Sequence, residues 1–393
     1  MDANDTMGAS ETLVVDVAVV GGGPTGALAA LVAAEAGWRV ALVAPAPARD
    51  PRTTALLMPS VALLDRLGVW EGVAPHAAAL TSMRIIDDTG RLPRAPEIAF
   101  DAHEISLDQF GFNVENDHLN AALADRLASA GVRHVDELAE RVHNGEIASV
   151  EAGETRVEAE LIVGADGIDS VVRAASGLAV KRWRYNQSAF VTVLSHARPH
   201  GNASIEFHTP GGPFTLVPLP GERSSLVFVE RPEVIDEWAS ADPGPLAREL
   251  ERRAHAVLGR MQIDGPRAVI PLEGMVAHHF GVRRAVLVGE AGHRLPPIGA
   301  QGLNLGIRDV AILSNLLERA RPGRSLAGLA DRYDSHRRLE VGVRSTGVDL
   351  LNRSLLTSAL PLTLLRTAGL TAAREIGPVR RAMMRAGLAE PLF

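Results

Sequence analysis

A glycine-rich turn between two buried strands constrains this chain more than any other feature. Residues 14–20 form an apolar, β-branched run, Gly21, Gly23 and Gly26 follow as GxGxxG, and an Ala- and Leu-rich segment at 27–36 ends on Gly37. A second buried run follows at 39–43. In this setting the first glycine permits the tight turn, the second lets the backbone approach a pyrophosphate, and the third lets the helix pack on the strand. The helix N-terminus then faces the anion. The pattern predicts a βαβ unit that binds a dinucleotide, with Pro24 and Thr25 opening the helix; the plainer alternative is a tight structural turn. One position departs from it. At the tip of the second strand, where a carboxylate ordinarily accepts hydrogen bonds from the ribose hydroxyls, the chain carries Ala44 and then Pro45. Either other groups hold the ribose, or the fold persists without that ligand.

Composition narrows the class. The 393 residues, 46% of them hydrophobic, suffice for two domains or one large discontinuous domain. With 40 Lys and Arg against 47 Asp and Glu, the net charge of −7 argues against a nucleic-acid partner. There is no cysteine, hence no disulfide, Fe–S cluster or thiolate metal site, and redox chemistry must sit on an organic cofactor. A cytoplasmic location is expected. Residues 1–13, acidic and polar, read as a frayed tail and not as a targeting peptide. The apolar run at 354–365 is too short to span a membrane and contains Pro361.

The organisation is α/β, with βαβ elements interrupted twice by β-rich insertions. Helices are predicted at 60–70 and 115–131, the latter with Leu119, Leu123 and Leu127 at helical spacing, and buried strands at 157–164 and 284–289. Alternating stretches between 186 and 230, separated by Pro and Gly turns, predict an antiparallel sheet. The expected division is a discontinuous dinucleotide domain (13–72, 113–180, 275–345), a substrate domain (73–112, 181–274) and a C-terminal helical region (346–393).

Two further stretches carry chemistry. In LIVGADGIDSVVR (161–173), Asp166 stands just past a buried strand, where it can accept from a cofactor hydroxyl or simply cap a helix. In VLVGEAGHRLPPIGAQGLN (286–304), a strand leads to Glu290, a Pro-rich loop, and Gly302, Leu303 and Asn304 at the start of a helix. Backbone N–H groups and the positive end of that helix suit a ring that becomes anionic on reduction. His293 reads first as a loop-packing histidine. His196, His200 and His208 lie in the sheet region without a ligand pattern, so no metal site is expected.

Taken in order, these stretches resemble the FAD-dependent aromatic hydroxylases with the p-hydroxybenzoate hydroxylase fold, and within them the ubiquinone-biosynthesis hydroxylases. Also carrying the resemblance are residues 50–70, FGFNVENDHLNAAL (110–123), PFTLVPLP (213–220) and the run 292–317. It implies FAD as cofactor: Gly21, Gly23 and Gly26 at the pyrophosphate, Arg52 and Asn116 along the phosphate and ribityl chain, and Asp166 near the cofactor. Glu290 takes the place of an Asp at the ribityl hydroxyls, and Pro297, Gly302, Leu303 and Asn304 border the isoalloxazine. The departures are Ala44 for the acid, Glu290 for Asp, Gly292 for Ala before His293, and Ala300 for Gly.

By the same resemblance the chain is an FAD-dependent monooxygenase that hydroxylates the ring of a polyprenylated phenol through a flavin C4a-hydroperoxide. Electrons come from an external donor, NAD(P)H or a redox partner, and O₂ and a lipophilic phenol are the substrates. A hydroxylase of another small aromatic, a flavin-dependent reductase, or a non-catalytic flavoprotein-like subunit fits the same residues. The C-terminal stretch, with Arg353, Arg366, Arg374, Arg380, Arg381 and Arg385 among Leu and Met, reads either as a peripheral contact with the inner membrane surface or with partner proteins of quinone biosynthesis, or as closing helices with their arginines in solvent.

Overall fold

The structure, a computed structural model, describes residues 11–90, 92, 94–296, 301–356 and 360–388, with backbone only for 301 and 343–366. Among the described residues the strands form four sheets. The central one runs Gly281–Val282, Ala285–Leu287, Leu161–Gly164, Val17–Val20, Val40–Val43, Arg133–Val135, and is parallel apart from the hairpin of its first two strands. Its middle strands are buried along their whole length, which is why they read as unbroken apolar runs. Helix Pro24–Glu35 follows the first of them, and Leu28, Ala29, Ala30 and Leu31 on it are fully buried.

Two runs predicted as single strands are each broken in two, at the same level. Val15 and Asp16 separate Glu11–Val14 from Val17–Val20, and Glu160 separates Thr155–Ala159 from Leu161–Gly164. The N–H groups of Glu160 and Leu161 both donate to the Asp16 carbonyl at 3.1 Å, so the two chains leave one sheet and enter the next together. Glu11–Val14 pairs in parallel with Thr155–Glu158 at the edge of a four-stranded sheet. Residues 11–13, expected in a frayed tail, are therefore strand. Hydrophobic pattern could not show the break, because apolar residues continue on both sides of it.

The large sheet holds nine strands and takes in 82–87, 98–101 and most of 180–294. It is antiparallel, as the alternation predicts, except where Ala203–His208 pairs in parallel with Ser82–Asp87. Within 186–230, where the alternation predicts it, every pairing is antiparallel. The two parallel strands are joined through elements of the dinucleotide domain rather than by a hairpin, so nothing forces opposite directions. On one face Ile205, Phe207, Phe214, Leu216, Leu226 and Phe228 pack under helices Pro232–Ser240 and Pro243–Arg253.

The opposite face meets a three-stranded sheet, Thr53–Leu57, Gly111–Glu115 and Ala77–Leu80. Asn113 Nδ2 ties the two by donating to Pro218 O at 2.9 Å and Ser225 Oγ at 3.1 Å. The helices Leu360–Glu375 and Gly377–Leu388 close the end of the sheet, where Leu370, Ala373 and Met384 pack on Ala95, Ile98, Phe100 and Ile105. Not every arginine there faces solvent: Arg380 turns inward to Glu104 at 2.7 Å.

Candidate cofactor and active site

The strand Val17–Val20 delivers the glycine turn to the carboxyl end of the central sheet, where open α/β sheets bind ligands. Gly21 adopts φ +111°, and Gly23 is the N-cap of helix Pro24–Glu35 with no side-chain cap on its first turn. The leading N–H groups are thus left for a ligand, at the positive end of the helix. A cleft of about 750 Å³ opens there, lined by residues 20–24 of the turn, by 43–50 and Arg52, and by Ala165, Asp166 and Asp169. A Cβ added at Gly23 would meet nothing within 4 Å, so this glycine faces open space. Uncapped N–H groups, the arginines Arg49 and Arg52 and a glycine floor fit a pyrophosphate, and the cleft fits the adenosine half of FAD.

Arg52 is held by Asp50, with Nε and Nη2 each donating at 2.7 Å. Hydrogen bonding to Asp50 is the main reason its guanidinium is held more basic than usual, and the charge of Glu290 adds to this. Asn116, predicted along the ribityl chain, is buried and donates to Asp50 Oδ2 at 2.8 Å, while Thr54 Oγ1 donates to its amide oxygen at 2.6 Å. It positions Asp50, which positions Arg52. Burial disfavours the Asp50 carboxylate, yet its bonds from Arg52 and Asn116 prevail and the carboxyl sits below its ordinary range.

Asp166 lines the cleft and accepts from Ser170 Oγ at 2.5 Å and Val172 N at 3.1 Å, which holds the start of the helix Val171–Ala175. Glu290 is 54% exposed at the start of the late loop. Gly302 is exposed and Leu303 half-buried, whereas the Asn304 amide is turned inward. Its Oδ1 accepts from Leu57 N at 2.9 Å and Ser60 Oγ at 2.7 Å, and its Nδ2 donates to Ala55 O at 2.8 Å, locking the strand 53–57 against helix Gln301–Ala320. Pro297 and Ala300 lie outside the described residues. Gly292 has a local reason: a Cβ there would press on the Phe280 ring.

Ala44 is 3% exposed, and a Cβ on Gly22 would stand 2.9 Å from its methyl. Its carbonyl accepts from His134 Nε2 at 2.8 Å, and Pro45 to Ala48 continue along the cleft wall. The strand tip therefore stays beside the adenosine half of the cleft. Ala44→Glu should tighten FAD roughly tenfold, the order of one hydrogen bond to a charged group; titration of the apoprotein with FAD measures it, and an unchanged Kd would show that the ribose is out of reach.

Sequence reasoning missed Asp50 and Asp309. Asp309 is fully buried on helix Gln301–Ala320, where its Oδ2 accepts from His293 Nε2 at 2.7 Å and Gly289 N at 2.8 Å, and its Oδ1 pairs with the buried Arg337 at 2.6 Å. The available signal was a carboxylate inside an apolar helical stripe, flanked by Leu305, Val310 and Leu313. Among the described residues no group of three or more His, Asp and Glu is placed to hold a metal, and no helix is long and apolar enough to cross a membrane.

A family profile described as an FAD binding domain matches residues 14–344. The chain is 32% identical to the ubiquinone hydroxylase UbiL of Rhodospirillum rubrum, over 95% of this chain and 89% of that one. It is 30% identical to the 3-demethoxyubiquinol 3-hydroxylase of Escherichia coli, over 95% and 98%. Among solved structures, Klebsiella pneumoniae HpxO complexed with FAD and uric acid shares the fold with a TM-score of 0.77 at 17% identity, covering 95% of this chain and 96% of that one. The p-nitrophenol 4-monooxygenase PnpA of Pseudomonas putida does so with 0.76 at 21%, covering 95% and 97%. The chain belongs to the FAD-dependent aromatic hydroxylases, in the family of the ubiquinone hydroxylases, and is a flavoprotein monooxygenase.

Proposed function

We propose that this enzyme hydroxylates the aromatic ring of a polyprenylated phenol in ubiquinone biosynthesis, with electrons from NAD(P)H or a redox partner. The observation that carries this is end-to-end similarity to one enzyme named as a ubiquinone hydroxylase and one named as a 3-demethoxyubiquinol 3-hydroxylase. Bound FAD supplies the activation of O₂ and the transfer of one oxygen atom to the ring. The chain's own residues bind and orient. The glycine turn and the uncapped helix end receive the pyrophosphate, Asn116 and Asp50 aim Arg52, and Asn304 fixes the strand 53–57 against the helix that follows the late loop. Profiling quinone intermediates in a deletion strain tests the reading. Accumulation of one under-hydroxylated prenylphenol is expected, and an unchanged quinone pool would overturn it.

A lipophilic substrate calls for access from a membrane, and the C-terminal helix Gly377–Leu388 offers a surface for it. Val379 and Met383 are 37% and 44% exposed and share the outward face of this helix with Ala382 and Ala386; Ile376, 48% exposed, precedes it, and Arg385 and Arg374, the latter paired with Glu375 at 3.4 Å, are exposed beside them. In a chain of net charge −7, a basic rim around an apolar ridge suits anionic headgroups. This helix rests peripherally on the inner membrane surface. The double substitution Val379→Asp, Met383→Asp should reduce flotation with phosphatidylglycerol vesicles at least severalfold at unchanged FAD content. Equal flotation would remove the membrane contact.

A further inference from the structure

Glu206 is a carboxylate in the middle of the large sheet, which the cofactor site does not use. It lies in the strand Ala203–His208, between Ile205 and Phe207, whose side chains pack under the two helices of the substrate domain. Strand alternation therefore projects Glu206, Ser204 and His208 from the opposite face, together with Thr215 and Val217 of the next strand and Ser225 and Val227 of the one after. This face looks toward the dinucleotide domain. Ser225 is bonded to Asn113, Asn113 pairs in register with Ala55, and the Ala55 carbonyl accepts from Asn304 at the start of the helix after the late loop. On its other side Glu206 is in register with Ile85, which packs against the cluster containing Leu370 of the C-terminal helix. Thr215, Val217 and Val227 are only half-buried, unlike their neighbours on the helix-covered face, so this face keeps solvent-accessible surface beside Glu206.

The carboxylate is held, not merely tolerated. Glu206 Oε1 accepts from His208 Nε2 at 2.8 Å and its Oε2 from Thr215 Oγ1 at 3.3 Å, while the Glu206 side chain keeps 15% exposure against 7% for the imidazole behind it. Burial opposes its ionisation most strongly, but the bond from His208, the charge of that ring and the Thr215 hydroxyl together outweigh it, and the carboxyl lies below its ordinary range. His208 Nδ1 is buried and, among the described residues, without a hydrogen-bond partner, so the ring's hydrogen bond is the one to Glu206. Arg223, on the same face of the strand Arg223–Glu230, is engaged by Glu115 at 3.1 Å and Asp264 at 2.9 Å.

We infer that Glu206 forms part of the wall that holds the substrate ring, accepts a hydrogen bond from an uncharged ring hydroxyl, and excludes aromatic carboxylates by charge. His208 and Thr215 are positioning residues that fix its two oxygens. This rests on the reading of the enzyme as a phenol hydroxylase and states which phenols it takes: those without an anionic substituent on the ring. A carboxylate brought against a desolvated carboxylate is strongly disfavoured, whereas a phenol hydroxyl satisfies it.

The test uses the FAD-loaded enzyme without reductant, so that nothing turns over, and measures Kd for 2-dimethylallylphenol and for 3-dimethylallyl-4-hydroxybenzoate by isothermal titration. Wild type should prefer the phenol by about a hundredfold or more. Glu206→Gln, close to isosteric, should narrow that preference to within about tenfold by weakening the phenol and admitting the benzoate, while Glu206→Asp retains most of it. Thr215→Val should weaken the phenol with FAD content unchanged, a readout a purely structural hydroxyl would not move. If wild type binds the phenol but Glu206→Gln leaves both constants unchanged, the assignment of Glu206 is overturned. If wild type binds neither ligand, the phenol hydroxylase reading falls, and this inference with it.

Discussion

A Gly26→Ala protein should purify colourless, without FAD, and unfold at clearly lower denaturant than wild type. A Cβ at position 26 would run into the Gly21 carbonyl oxygen and stand 3.1 Å from the Ala165 methyl. The obstruction is backbone and not the far end of a flexible side chain, so the turn must move as a unit. Gly21 cannot yield, because it holds φ +111° and any Cβ there would meet the Ala165 carbonyl. Overpacking of this kind costs about 1–3 kcal/mol, and the displaced turn is the one that meets the pyrophosphate. Gly23→Ala is the control. With φ −68° at Gly23 and nothing within 4 Å of an added Cβ, this variant should fold as well as wild type, so any loss of FAD reports a clash with the cofactor itself. Flavin content by absorbance and a urea titration read both variants. Wild-type loading and stability in Gly26→Ala would refute the close-packed turn.

What the sequence made legible is what short-range chemistry dictates. The turn at 21–26, the helices at 58–66 and 116–129, and the buried strands at 17–20, 40–43 and 161–164 follow from period, glycine and β-branching within a dozen residues. Pairing between distant segments did not show. The break at Asp16 exists only because Glu160 and Leu161 donate to the Asp16 carbonyl across the sheet, and the parallel pairing of 82–87 with 203–208 spans more than one insertion. The candidate site divides the same way. Gly21, Gly23, Pro24, Arg52 and Asp166 line one cleft, while Asp50 and Asp309, the acids that position the machinery, were hidden because Asn116 and Arg337, which meet them, lie far along the chain. Ala44 stands at the cleft wall, so whether a carboxylate there reaches the ribose is what Ala44→Glu measures.

Asp309→Ala should cost about 3–5 kcal/mol of stability at neutral pH, because it strands the fully buried Arg337 without the carboxylate 2.6 Å away. Arg337 keeps Glu340, at 2.7 Å from Nη1, and Glu340 also holds Arg308. Two cations would then share one partly exposed acid. Burial alone would push the Asp309 carboxyl up, but the charges of Arg337 and His293, with the bonds from His293 and Gly289, hold it below its ordinary 3.8. A group whose folded pKa is depressed contributes stability that is complete above its unfolded pKa and is lost as pH falls through the folded one. Wild type should therefore lose stability more steeply below about pH 4 than Asp309→Asn does, as followed by urea midpoints against pH. A loss under about 1 kcal/mol in Asp309→Ala at neutral pH would show that the cluster is not the anchor its burial implies. Gly289 and His293 bracket Glu290 and begin the loop that leads to Gly302, so FAD loading should fall with stability. The double variant Asp309→Leu, Arg337→Met separates the two effects. Replacing a buried pair by apolar residues is often close to neutral, so stability should recover. Loading should not, because the Gly289 N–H and His293 still lack the acceptor that sets the loop.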